Sequence, residues 1–238
     1  QRLDFHHLET RGSQELDRVL SLLHAGQREL QANQVCLPDP VVFRFSDRSR
    51  LARSEVLLNL FDYSGEVFRM LDLERPLRRR MMQADGILLF LDPLRAAESQ
   101  LHEMKRFLDD ADRNWLRMPG AVCISKIDML QASDAAPEIG EFQQRLREID
   151  GSGLAAIDAR SRITEPLVRS LWSDVDMDRI VRKTFRGHFR YFPVTSVGFA
   201  EPAAIAQPQF VLEPLLWLLE QNGFDVFDRG KPIREVRP

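Results

Sequence analysis

The sequence predicts an α/β fold with a mainly parallel sheet. Three observations carry that expectation. Short apolar runs alternate with helix-patterned segments along the chain. The runs VLLNLFD (56–62), GILLFLDP (86–93) and GAVCISKID (120–128) are nearly continuous, as in strands buried on both faces. Each ends abruptly in polar residues, where ligands meet the carboxyl ends of strands in open α/β sheets.

Taken in order, ELDRVLSLLHAG (15–26) spaces its apolar residues helically and ends on a glycine suited to a helix stop. VVFRFS (41–46) alternates as a half-exposed strand does, and lies close enough to 56–62 to form a hairpin. Residues 68–84 have helical character around Pro76, and 96–116 read as a long helix. Residues 131–180 are polar, with loop-like ASDAAPEIG and DGSGLAAIDARS around a helix near 141–149. YFPVTSVG (191–198) is a last strand, placed at an edge because Pro193 cannot donate to a ladder. VLEPLLWLLEQNG (211–223) is a closing helix. The expected organisation is therefore a helical segment with a switch-I-like region over 1–40, a core over 41–200 with a polar insertion around 131–180, and a C-terminal helix and tail over 201–238.

The 238 residues can bury a full core. Apolar residues make up 44% and charged residues 29%, an ordinary globular balance, and a net charge of −3 argues against a general nucleic-acid binder. Cys36 and Cys123 make no disulfide framework and imply reduced thiols in a cytoplasmic setting. No apolar run approaches 18 residues, so no transmembrane segment is expected. His6 and His7 are adjacent rather than at metal-ligand spacing, and read as a solvated terminus. RPLRRR (75–80) reads as a solvated helix face, and RKTFRGHFR (182–190) as a surface helix leading into the last strand.

The polar strand ends carry recognisable patterns. DYSG (62–65) matches a D-x-x-G motif, SKID (125–128) matches [NT]-K-x-D except at its first residue, and TSVG (195–198) is a serine-containing loop. Their order resembles the TRAFAC-class GTPases of the P-loop superfamily over roughly residues 41–200. DYSGE and EPLLWLL look most like the bacterial double-GTPase families associated with conflict systems. The resemblance implies a P-loop NTPase-like three-layer sandwich, guanine nucleotide (GTP/GDP) and Mg²⁺ as ligands, and a molecular switch partnered by a protein effector or a second GTPase domain.

Each residue then has an expected task. Asp62 would bind Mg²⁺ through water. Gly65 would let a backbone N–H approach the γ-phosphate. Glu66 falls where relatives place a water-positioning glutamine, and its charge opposes phosphate. Asp128 would accept from guanine N1–H and the 2-amino group, donors that adenine lacks. Lys126 would lay its aliphatic stem along the base. Ser125 stands for Asn or Thr, and Thr195 and Ser196 with neighbouring amides would meet the guanine carbonyl.

One part of the pattern is missing. No G-x-x-x-x-G-K-[ST] occurs in these residues, TRGSQEL (10–16) lacks the lysine, and ELQANQVCLPDP (29–40) holds no switch-I threonine. The expectation is a piece of a longer protein whose first strand and phosphate loop lie upstream of Gln1. A catalytically silent pseudo-GTPase interaction module is the alternative. A phosphorelay receiver with Asp62 or Asp92 as phosphoacceptor fits less well, because its lysine is normally followed by proline and Ile127 follows here.

Overall fold

The computed structural model describes residues 3–11, 14, 17, 21, 39–47, 55–61, 83–100, 118–130, 137–151, 153–186, 188–196, 208–224, 226 and 227. The chain divides into two compact units, Gln1–Arg80 and Met81–Pro238.

The first unit contains an antiparallel sheet of β1 (Leu3–His7), β2 (Val41–Asp47) and β3 (Glu55–Leu60) in that order. The β2–β3 ladder runs from Val41 opposite Leu60 to Ser46 opposite Glu55, so the expected hairpin is present. Alternation along β3 follows the strand period, with Leu57 and Asn59 exposed and Leu58 and Leu60 half-buried. Two findings differ from the sequence expectation. LDFHH forms a strand whose Phe5 pairs with Phe45 and whose His6 pairs with Arg44, where a solvated terminus was expected. The paired histidines hide the alternation that would have marked it. The run 56–62 was expected in one parallel sheet with 86–93 and 120–128, whereas β3 is paired in the β1–β2–β3 sheet and Ile87–Leu91 and Gly120–Ile124 in a second sheet. Arg11, Gln14, Asp17 and Ser21 are helical, with the Gln14 N–H donating to the Thr10 carbonyl at 3.1 Å. The expected helix over 68–84 and most of the one over 96–116 lie outside the described residues.

The second unit is built on the parallel sheet β4 (Ile87–Leu91), β5 (Gly120–Ile124) and β6 (Phe189–Pro193), with β5 central. Ile87 faces Gly120 and Gly120 faces Phe189, while Leu91, Ile124 and Pro193 lie level at the far end. Every β5 residue is buried, as the GAVCI run predicts. Pro193 sits in an outer strand of this sheet, as expected.

Helices lie on both faces. Leu91, Val122, Ile124, Phe189 and Tyr191 share one core with residues of α1 (Pro137–Glu148), α2 (Leu154–Leu171) and α3 (Met177–Phe185). On the other face α4 (Glu213–Gln221) places the Trp217 ring 5.8 Å from the Phe192 ring. Phe90 shares that second face and stays 61% exposed. Cys123 is buried as a free thiol, and desolvation raises its pKa well above the ordinary value.

The described part of the polar stretch 131–180 is mainly helical. Most of it is α1, α2 and the start of α3, and the loop-like DGSGLAAIDARS contains the first two turns of an 18-residue helix. Its inner face buries Ile157, Ile163, Leu167 and Val168 beside Arg160, Ser161 and Thr164. Those polar side chains conceal the helical apolar period, yet each is satisfied where it lies. The Ser161 hydroxyl accepts from the Tyr191 N–H at 2.9 Å, and the Thr164 hydroxyl donates to the Arg160 carbonyl at 2.8 Å. Asp178 on α3, with its residue 4% exposed, accepts from Arg169 Nε at 2.8 Å, Arg182 Nε at 3.0 Å and Tyr191 Oη at 2.8 Å. The expected surface helix before the last strand is α3, which ends at Phe185 ahead of β6.

Candidate nucleotide-binding edge

Because β4, β5 and β6 are parallel and in level register, the residues following each strand emerge along one edge. Asp92 follows β4, Ser125 to Asp128 follow β5, and Thr195 and Ser196 follow β6. The structure thus brings five of the expected site residues, Ser125, Lys126, Asp128, Thr195 and Ser196, to the carboxyl edge of one sheet. Asp62, Gly65 and Glu66 lie outside the described residues.

The β5 end is tied to its neighbour. Both the Ser125 N–H and its hydroxyl donate to the Leu91 carbonyl, at 2.9 and 3.1 Å. The serine hydroxyl therefore bridges two strand ends. Lys126 then adopts the left-handed region, φ 54° and ψ 34°, and a 3-10 turn follows over Ile127–Met129. A non-glycine residue there is uncommon and costs about 1 kcal/mol. Ile127, wholly buried, plugs the turn into the core. Gln143 of α1 clamps the turn's exit by donating to the Leu130 carbonyl at 2.9 Å. The chain is thus forced through a sharp corner, with an exposed lysine before the buried plug and a half-buried carboxylate, Asp128, after it. Asp128 has no hydrogen-bond or ion-pair partner among the described residues.

The β4 end carries Asp92, which the sequence marked only as a strand-end acid and as an alternative phosphoacceptor. The Asp92 carboxylate takes the Lys126 ammonium at 2.7 Å on one oxygen and the Leu94 N–H at 2.9 Å on the other. Gln100, 5% exposed, holds the Asp92 main chain from both sides: its carbonyl accepts the Asp92 N–H at 2.8 Å and its amide donates to the Asp92 carbonyl at 2.9 Å. An aspartate at a strand end followed eight residues on by a helical glutamine was the only available signal.

At the β6 end Thr195 is 1% exposed and its main chain is bridged to Gln209, with N–H···O distances of 2.9 and 3.3 Å. Phe210 follows at φ 60°, its ring 4.8 Å beneath the Arg160 guanidinium. Ser196 is exposed.

The arrangement offers an unpaired acceptor carboxylate, a lysine stem and an exposed hydroxyl on one edge, which suits a flat ligand presenting paired N–H donors. Among the described residues no group of three His, Cys, Asp or Glu side chains could hold a metal ion, and Asp62, the expected Mg²⁺ ligand, is outside them. No helix among the described residues is long and apolar enough to cross a membrane. Compared with protein-family models, curated proteins and solved structures, the chain matches none at a significant level.

Proposed function

We propose that the carboxyl edge of the β4–β5–β6 sheet binds a guanine nucleotide, in a GTPase-like switch domain that works in the cytoplasm with a protein effector or partner GTPase domain. One observation supports this reading above the others: Asp128 sits on a buried-plug turn, and its carboxylate has no hydrogen-bond or ion-pair partner among the described residues. A carboxylate held rigidly and left open is suited to a ligand with two adjacent donors, and guanine presents N1–H and a 2-amino group. Lys126 and Ser196 complete the base half of the site, with Ser125 and Thr195 holding the two loops. Gly65 and Asp62, to which the sequence resemblance gives the γ-phosphate and Mg²⁺ roles, lie outside the described residues. GTP hydrolysis of this kind requires a phosphate loop, and no G-x-x-x-x-G-K-[ST] occurs in these residues. Glu66, a negative charge where a neutral side chain serves relatives, favours nucleotide binding without rapid hydrolysis, which is the pseudo-GTPase form of the same reading.

Competition against a fluorescent guanosine diphosphate tests the proposal. GTP is expected to displace the probe about 30-fold better than ATP, the equivalent of about 2 kcal/mol for one mismatched polar pair. Asp128→Asn should weaken GTP by a similar factor and raise relative affinity for xanthosine triphosphate, whose 2-carbonyl accepts from the new amide. Equal competition by ATP and GTP, or an indifferent Asp128→Asn, overturns the reading.

A further inference from the structure

We infer that Asp92 is a positioning residue that fixes Lys126 before any nucleotide arrives. This inference rests on the guanine-nucleotide reading and adds a residue to it. The Asp92 carboxylate is itself immobile: one oxygen is held by the Leu94 N–H and the flanking main chain by the buried Gln100. Its other oxygen holds the Lys126 ammonium at 2.7 Å. Lys126 is 51% exposed, and an exposed ion pair of this kind contributes little to folding. Its effect lies in order. A free lysine side chain holds more rotamer entropy than most side chains, and most of it is lost when it is pinned. Here the pinning is done by the fold, so a ligand lying against the methylene stem does not have to do it. The left-handed backbone at Lys126 and the two hydrogen bonds that Ser125 donates to the Leu91 carbonyl fix the other end of the stem. The four methylenes are therefore held at both ends, as an aliphatic bar across the carboxyl ends of β4 and β5.

The test is a double-mutant cycle on the protein, read by displacement of fluorescent guanosine diphosphate. Asp92→Asn keeps an acceptor for Leu94 and removes the charge that holds Lys126. It is expected to weaken guanine-nucleotide binding about 5- to 10-fold, leave the GTP-over-ATP ratio unchanged, and leave the thermal midpoint within about 2 °C of the parent. In a Lys126→Met background the same change should have no effect, because the residue it acts through is gone. Equal losses in both backgrounds, or no loss in the parent, overturn the inference. A ligand-independent arm follows acetylation of Lys126 by an amine-reactive ester without nucleotide. Asp92→Asn is expected to speed that reaction several-fold, and an unchanged rate also overturns the inference. The two proposals fail differently. A protein that does not prefer guanine over adenine defeats the parent reading and this inference together. A guanine preference lost in Asp128→Asn beside an indifferent Asp92→Asn defeats only the positioning role.

Discussion

Arg160 on α2 and Glu213 at the start of α4 form a buried ion pair, with Arg160 Nε 3.0 Å from Glu213 Oε2 and a second bond from Nη2 to the other oxygen. Two further donors are used: Nη1 reaches the Ile149 carbonyl at 3.3 Å and Nη2 the Gly151 carbonyl at 2.9 Å. Burial raises the Glu213 carboxyl pKa, and the Arg160 charge and hydrogen bonds oppose that rise. With the Phe210 ring beneath it, this guanidinium joins α2, α4 and the segment that bridges Thr195.

Removing one partner leaves the other buried and uncompensated. Arg160→Met is expected to lower unfolding free energy by about 3–5 kcal/mol, read as a shift in urea midpoint. Arg160→Met with Glu213→Leu should recover most of that loss, because no unpaired charge remains. A double variant as unstable as the single would show that geometry, rather than an orphaned charge, sets the penalty.

Asp178 makes a prediction about acid. Burial acts to raise its pKa, but the hydrogen bonds from Arg169, Arg182 and Tyr191 outweigh it, so the folded value lies below the ordinary carboxylate value. A depressed folded pKa gives stability that is present above the unfolded value of about 3.9 and lost as pH falls through the folded one. Asp178→Asn should cost about 2–3 kcal/mol at neutral pH, the range for hydrogen bonds to a charged group. Its denaturant midpoint should fall less steeply than the parent's below about pH 4. Parallel pH curves for the two proteins would refute this role.

Gly120 opens β5 against a ring. A Cβ there would lie 2.4 Å from Phe185 Cε1 on α3, closer than any real contact. Gly120→Ala is expected to destabilise by about 1–3 kcal/mol through overpacking. Gly120→Ala with Phe185→Leu should regain part of that. Gly86→Ala, whose Cβ would meet only the flexible end of Leu218 at 2.9 Å, should cost less. Equal losses in thermal or denaturant melts at the two positions would contradict the contrast.

The central strand of the parallel sheet was legible because the apolar run GAVCI suits burial on both faces, whereas β4, read in the same way, is mostly half-buried and leaves Phe90 61% exposed. The strand ends were legible too: SKID and the Thr195–Ser196 pair do lie along one carboxyl edge. The α2 helix was not, because Arg160, Ser161 and Thr164 occupy inward positions that a count of apolar residues treats as solvent-facing. Of their partners, Glu213 and Tyr191 come from distant sequence, so no local window contains the whole reason for their burial. β1 was hidden for a related reason, since LDFHH becomes a strand through its pairing with β2 rather than through its own pattern. Asp92 was visible as a strand-end acid, but its grip on Lys126 spans 34 residues and depends on Gln100.

The inward polar face of α2 also sets the rotational index of that helix. A purely aliphatic stripe can turn by a fraction of a residue and repack with little penalty. α2 cannot, because Ser161 must meet the Tyr191 amide while Arg160, one residue earlier and about 100° around the cylinder, must meet Glu213 and two carbonyls. Two contacts at different azimuths define a single angle, as two dowels locate a plate. The sheet, through the Tyr191 amide, and the start of α4, through Glu213, are thereby indexed to a common shaft.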